Sequence, residues 1–126
     1  MKKFFIDHKS TTIKAIKQIN KLGGKSLIVT DKKKILRGIL SSYDLRKAIM
    51  NKNILNKNIN KIFNKKVKYV FVDQIKNNMP SIHLTIKKLE ILPVVNRKTF
   101  KIIDVLTQQK LKSLKIKKTK KLIVVL

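Results

Sequence analysis

Apolar residues recur along the first half of the chain at two spacings, and the change of spacing predicts its secondary structure. An apolar face at helical spacing follows the cap-forming residues 10–12 and ends at Gly23 and Gly24. Two apolar runs separated by a polar turn come next and indicate buried strands, and Ser41 and Ser42 then open a second helix. The predicted elements are a helix at 13–22, strands at 26–30 and 35–40, and a helix from 41 to about 49.

The second half repeats this order. Segments 26–45 and 92–111 align without a gap, so Ser41 falls on Thr107. Neither half carries enough apolar surface to be stable alone, so we expect the halves to pack face to face. The pattern predicts a mixed α/β (α+β) fold of two β-α-β-β-α units with pseudo-twofold packing. The predicted elements of this half are strands at 67–72, 91–95 and 100–106, a helix from Asn77 or Asn78 with Pro80 in its first turn, and a helix opened by Thr107.

One motif in the first half combines residues of chemical interest: Gly38, Ser41 and Asp44 in the segment GILSSYDLR. A glycine in a strand allows another backbone or a ligand to approach closely. Ser-x-x-Asp is a variant of the capping box, which is the interpretation that spacing favours. Alternatively, the two oxygens of the Asp44 carboxylate suit a vicinal diol such as a ribose, with phosphates near the helix N-terminus. Both roles are compatible. Tyr43 is a candidate for stacking on a base, although packing is the commoner role.

The composition narrows the functional classes. The chain lacks cysteine, which excludes disulfides, thiolate zinc sites and cysteine nucleophiles. Its histidines have no partners at metal-ligand spacing, and its only glutamate, Glu90, forms no acid pair suited to general acid–base catalysis. The longest apolar run, 122–126, is far shorter than the roughly 20 residues that cross a bilayer. We therefore expect a cytoplasmic, non-enzymatic protein without a membrane segment, a metal or a required cofactor.

The charge is extreme, with 32 basic residues against six acidic ones and a formal net charge of +26. It suggests a polyanionic partner such as nucleic acid. However, only three of the basic residues are arginines, which read phosphates and bases better than lysines, and the lysines are spread along the whole chain. Abundant asparagine and isoleucine suggest compositional drift instead. Nonspecific, salt-dependent polyanion binding is the expectation from charge alone.

Two units with the pattern strand, turn and G-x-x-[Ser/Thr]-x-x-Asp opening a helix resemble the cystathionine-β-synthase (CBS) domain, and the tandem resembles a Bateman module. The resemblance covers about 4–114 and implies a regulatory sensor, commonly of adenine nucleotides. Residues 11–49 also resemble CBS pairs found ahead of sugar-phosphate nucleotidyltransferases, where a basic linker leads to an apolar strand, as KIKKTKKLIVVL does here. The expected domains are 1–66, 67–114 and a linker with the start of a further strand at 115–126.

The resemblance also implies a binding site. It places a ribose on Asp44, the Ser41 hydroxyl at ribose or phosphate, and adenine against backbone groups of Ser26, Leu27 and Ile28. In the second half the pattern departs, since Asp104 replaces the glycine and Lys110 the acid, whereas Thr107 remains. Lysine cannot accept a hydrogen bond from ribose, although it offers charge to a phosphate. We expect at most one nucleotide site.

Three hypotheses follow from these features. The first is a regulatory module that binds AMP, ADP, ATP or a related phosphorylated ligand, forms a homodimer through its CBS pairs and is fused to or controls a catalytic domain. The second is a degenerate CBS pair that serves in dimerisation or docking without a ligand. The third is a basic nucleic-acid-binding protein.

Overall fold

The computed structural model describes residues 2–50 and 55–113, which form two β-α-β-β-α units of a mixed α+β fold, as predicted. The expectations for 115–126 lie outside these residues. The elements of the first half are β1 Phe5–Asp7, α1 Thr12–Lys21, β2 Ser26–Thr30, β3 Leu36–Ser41 and α2 Ser42–Ile49. Those of the second are β4 Val70–Phe71, α3 Met79–Leu89, β5 Ile91–Val95, β6 Ile102–Thr107 and α4, which begins at 108 and is described to 113. Short 3-10 helices cover Lys2–Phe4, Ile59–Lys61, Val72–Gln74 and Lys76–Asn78.

Each half builds a three-stranded sheet of the same topology. In the orders β1-β2-β3 and β4-β5-β6, the first pair is parallel and the second antiparallel. Each antiparallel pair contains one register shift, between Val29 and Thr30 in the first sheet and between Val94 and Val95 in the second. The repeat therefore extends to the position of a β-bulge.

The gapless alignment of the halves is wrong by one residue in the turns. Residues 31–35 join β2 to β3, whereas 96–101 join β5 to β6. The structural counterpart of Ser26 is consequently Ile91, because each pairs with the hydroxyl residue that ends its hairpin. Phe100, predicted to begin a strand, has φ 59° and closes the longer turn instead.

The strand predicted at 67–72 is shorter than expected, since only Val70–Phe71 pairs with β5. In the first half the pairing starts one residue earlier, with Phe5 opposite Ile28. Pro93 occupies the position of Ile28 in the second sheet, and proline has no N–H to donate to a neighbouring strand. Residues 67–69 therefore run alongside β5 without joining it.

The core has three parts. One apolar cluster lies inside each half, between the sheet and its helices. The third joins the two sheets and contains buried residues of both halves: Ile28, Leu36, Ile91, Val95, Ile102 and Val105. Backbone hydrogen bonds also link the hairpins, from the Leu36 N–H to the Phe100 carbonyl at 3.3 Å and from the Ile102 N–H to the Lys34 carbonyl at 3.0 Å. The halves thus pack together, as their limited apolar surface requires.

Candidate functional site

The Ser41 to Asp44 segment forms a complete capping box at the start of α2. The Asp44 N–H donates to Ser41 Oγ at 3.1 Å, and the Ser41 N–H donates to Asp44 Oδ2 at 3.0 Å. These reciprocal bonds satisfy N–H groups that a helix start leaves open. The structural interpretation of the motif is therefore confirmed.

The box leaves part of each side chain available. Within the described chain, Oδ1 of Asp44 accepts no hydrogen bond, and the Ser41 hydroxyl is used only as an acceptor. The carboxylate is half-buried at the helix N-terminus, and the neighbouring Tyr43 ring is 65% exposed. This corner of the molecule can accept one hydroxyl donor, donate one hydrogen bond and present an aromatic surface.

Gly38 is close to the chain's own backbone. A Cβ at this position would lie 2.4 Å from the Asn64 carbonyl oxygen and 2.5 Å from the Phe63 ring. Asn64 forms paired backbone hydrogen bonds with Ile39, of 3.0 and 2.8 Å. Of the two partners that the glycine suggested, backbone and ligand, the structure supplies the backbone.

The corresponding corner of the second half has opposite chemistry. Thr107 Oγ1 accepts from the Lys110 N–H at 3.2 Å, so the cap remains without its reciprocal bond. Lys110, at the position of Asp44, forms an ion pair through Nζ with Asp104, which occupies the position of Gly38. The two departures from the motif thus neutralise each other. The phosphate role suggested for Lys110 would require competition with Asp104.

A cleft of about 430 Å³ lies between the two halves at the open ends of their hairpins, opposite the turns. Ser26 and Thr107 line it, together with Gln108 and Gln109 from the start of α4. Lys25 and Glu90 also line the cleft and approach to 3.4 Å across the two halves. The remaining lining residues are Lys3, Phe4, Leu22, Ile86, Lys87 and Ile91. With three lysines and one acid, the cleft favours anionic ligands.

The predicted adenine segment is only partly accessible. Leu27 and Ile28 are fully buried in the central strand β2, so the backbone groups that the resemblance assigns to adenine are not exposed at these two residues, and neither are their side chains. Ser26 lies at the cleft and pairs with Ser41 on the neighbouring strand. Asp44 itself is not among the residues that line this cleft. Ser26 and Ser41 therefore connect the capping-box corner with the cleft.

Several cleft residues were missed by sequence reasoning, notably Lys25, Gln108 and Gln109. A signal was available for the glutamines, because they follow Thr107 as Ser42 and Tyr43 follow Ser41. For Lys25 there was none, since one lysine among so many is not distinctive.

Each of the six acidic residues is engaged within the chain. Asp7 caps a turn through the Lys9 N–H at 2.8 Å, and Asp44 completes its capping box. The other four form ion pairs, in which Arg37 binds Asp31 and Arg97 binds Asp73 while stacking on Phe71. Two of the three arginines are thus committed to internal partners, which leaves a surface dominated by lysines.

Two of these carboxyl groups have lowered pKa values. Burial opposes ionisation of Asp31, but hydrogen bonds from the Ile35 N–H, the Arg37 side chain and the Lys33 N–H outweigh it, so its pKa lies below 3.8. The hydrogen bond from Arg97 likewise holds the pKa of Asp73 below 3.8, against a smaller effect of burial.

In residues 2–50 and 55–113 no three His, Cys, Asp or Glu side chains come together in a way that could hold a metal ion. No helix in the same residues is long and apolar enough to cross a membrane.

Comparison with known proteins identifies the fold. Protein-family profiles and curated sequences give no match to the chain. Among solved structures, Staphylococcus aureus OpuCA is similar with a TM-score of 0.72 and 16% identity, over 91% of this chain and 93% of that one.

Two further structures were solved with ligands. The CBS domain pair of protein MJ0100, in complex with 5-methylthioadenosine and S-adenosyl-L-methionine, has a TM-score of 0.64 and 21% identity over 88% of this chain and 89% of its own. CBSX2 in complex with AMP has a TM-score of 0.68 and 22% identity over 90% of this chain and 88% of its own. At these identities the likeness establishes the architecture, which is that of a CBS domain pair.

Proposed function

We propose that this chain is a non-catalytic regulatory module that binds an adenine nucleotide or a related phosphorylated ligand at the capping-box corner of the first half. The observation that carries the proposal is the Asp44 carboxylate, held by Ser41 with one oxygen free beside an exposed Tyr43. A ligand hydroxyl donates to the free oxygen, and the lysine-lined cleft next to Ser26 and Ser41 attracts phosphate.

Solved structures of the same fold give further support. MJ0100 and CBSX2 hold adenosine-type ligands, and the cytosolic domain of the Mg²⁺ channel MgtE was solved with ATP. A site of this kind requires no metal or catalytic residue from the chain. Binding would act by changing the contact between the two halves or between two copies of the chain.

Calorimetric titration with AMP, ADP and ATP tests the proposal, using wild type and Asp44→Asn. The asparagine oxygen still accepts from the Ser41 N–H, so the cap is retained while the charge and one acceptor are lost. We expect at least tenfold weaker binding, a typical effect of losing a charged hydrogen bond. Asp7→Asn, which likewise removes the charge of a carboxylate that caps a turn, is the matched control and should bind as wild type. Equal affinity of Asp44→Asn and wild type would contradict the assignment of the site.

Control of a nucleotidyltransferase, in the same polypeptide or as a separate chain, and assembly as a homodimer belong to the same proposal. The likeness of 11–49 to CBS pairs that precede such enzymes supports the first part. The coding sequence downstream of Leu126 tests the fused arrangement, which requires a glycine-rich phosphate loop there. Sedimentation with and without nucleotide tests the second.

A docking module without a ligand is the main alternative, favoured by the loss of the motif in the second half. It predicts no heat with any nucleotide. Sequence-specific nucleic-acid binding has less support, because Arg37 and Arg97 are held by acids. Measuring DNA and RNA affinity as a function of salt concentration separates sequence-specific from nonspecific binding, since nonspecific binding falls steeply with salt whereas base-specific contacts persist.

A further inference from the structure

The two halves differ at one helical position with a consequence for binding. Gln18 in α1 and Thr85 in α3 each precede the last buried residue of their helix, Ile19 and Ile86. The side-chain amide nitrogen of Gln18 donates to the carbonyl oxygens of Lys3 at 3.1 Å and Phe5 at 2.6 Å. One primary amide thus satisfies two backbone acceptors at the outer edge of the first sheet.

The second half lacks that amide. The register in which β4 pairs with β5 matches that of β1 with β2, and extending it towards the N-terminus places Tyr69 at the position of Phe5 and Val67 at that of Lys3. Thr85 is two heavy atoms shorter than glutamine, and its hydroxyl donates to the Ser81 carbonyl at 2.9 Å. Among the described backbone contacts outside helices and strands, none donates to the carbonyls of Val67 and Tyr69.

A cavity of about 360 Å³ lies at this place, lined by Val67, Tyr69 and Thr85. Asn78, Ser81 and Gln74 add polar groups, and the floor includes the buried Ile82. In the register of β4, the carbonyls of Val67 and Tyr69 face away from β5, just as those of Lys3 and Phe5 face away from β2 and accept from Gln18.

We propose that this cavity binds a small planar ligand bearing a primary carboxamide, whose two N–H groups donate to the carbonyl oxygens of Val67 and Tyr69. The first half provides the precedent, since the Gln18 amide fills the equivalent place from within the chain. The volume and the partly apolar floor accommodate one small ring attached to the amide.

The acceptor pair also determines what is rejected. Backbone carbonyls only accept hydrogen bonds, so a carboxylate would place oxygen against oxygen despite the net charge of +26. A ketone of the same shape fills the cavity but donates nothing. Selectivity for amide over ketone and acid is therefore the distinguishing property of this site.

Titration of the full chain with nicotinamide, followed by the backbone amide NMR signals, tests the proposal. 3-Acetylpyridine is the isosteric ketone control and nicotinate the acid control. We expect shifts centred on Tyr69 and Thr85, and at least about tenfold weaker binding of both controls. Equal affinity for nicotinamide and 3-acetylpyridine would overturn the proposal, as would shifts that leave this region unaffected.

Two substitutions in α3 locate the ligand. Thr85→Gln introduces the amide that the first half already has, and we expect it to abolish nicotinamide binding while the chain stays folded. Leu84→Gln, at a neighbouring position whose side chain is 71% exposed, makes the same addition outside the cavity and should bind as wild type. Unchanged binding by Thr85→Gln contradicts the proposal. Asp44→Asn should retain nicotinamide binding, which separates this inference from the nucleotide proposal.

Discussion

The corners at which α2 and α4 begin descend from the same pattern, yet each is stabilised in a different way. In the first half Gly38 admits a neighbouring backbone, and Asp44 caps the helix with one oxygen free. In the second, Asp104 and Lys110 stand at these positions and bind each other. In the second half, replacing the glycine by Asp104 alone, or the acid by Lys110 alone, would leave a charge without a partner. With both replacements the two charges form an ion pair. The comparison indicates that the chemistry of the motif can change in one repeat while its fold is retained.

Among substitutions that test this difference between the halves, Gly38→Ala should lower the free energy of unfolding most. The new methyl group meets the Asn64 carbonyl and the Phe63 ring at distances that require backbone movement. We expect a loss of about 1–3 kcal/mol in the free energy of unfolding, measured by urea denaturation. Asp104→Ala, at the equivalent position, should cost less than about 1 kcal/mol, because it removes a partly exposed ion pair. Equal losses would show that the two positions are not structurally different.

Substitutions of the helix N-caps should lower the free energy of unfolding by less. Ser41→Ala removes an N-cap that is part of two reciprocal bonds and should cost about 1 kcal/mol in urea denaturation. Thr107→Ala should cost less, because Lys110 returns no side-chain bond to its cap. A larger loss for Thr107→Ala than for Ser41→Ala would refute this ranking.

Acid stability provides the finest distinction between the halves. A carboxyl group whose pKa is lowered by folding stabilises the native state above its unfolded pKa, here 3.8, and this contribution is lost as the pH falls through the folded value. The Asp31 side chain is 12% exposed and that of Asp73 57%, so solvent weakens the second pair more. We expect Asp31→Asn to flatten the fall in Tm between about pH 5 and pH 2 more than Asp73→Asn. Thermal melts across this range measure it, and identical profiles would contradict the expectation.

Much of the fold was predictable because its signals are local. Ser41 predicts the start of α2, because its hydroxyl can cap the helix. Pro80 predicts the start of α3, because proline is tolerated in the first turn of a helix. The effect of Pro93 was not anticipated, because the shortening of β4 requires knowing which residue lies opposite. The additional residue in the turn that ends at Phe100 was not predicted for a related reason. Two similar sequence segments can be aligned without a gap even when their strands pair in a different register.

The candidate site was predictable only in its motif. Asp44 and Ser41 were identified from three-residue spacing, and their reciprocal bonds follow from that spacing. The ion pair of Lys110 with Asp104 was not foreseen, although both departures from the motif were visible in the sequence. The cleft residue Lys25 lacked any distinguishing feature.

The order of elements, the duplication and the helix caps can be predicted from the sequence, because these depend on periodicity and on residues a few positions apart. Contacts between residues far apart in the sequence depend instead on the folded chain: Gly38 with Phe63, Gln18 with Lys3, and Lys25 with Glu90. These contacts join residues that are close in space because the two sheets pack together, and that packing depends on the whole core rather than on any local pattern.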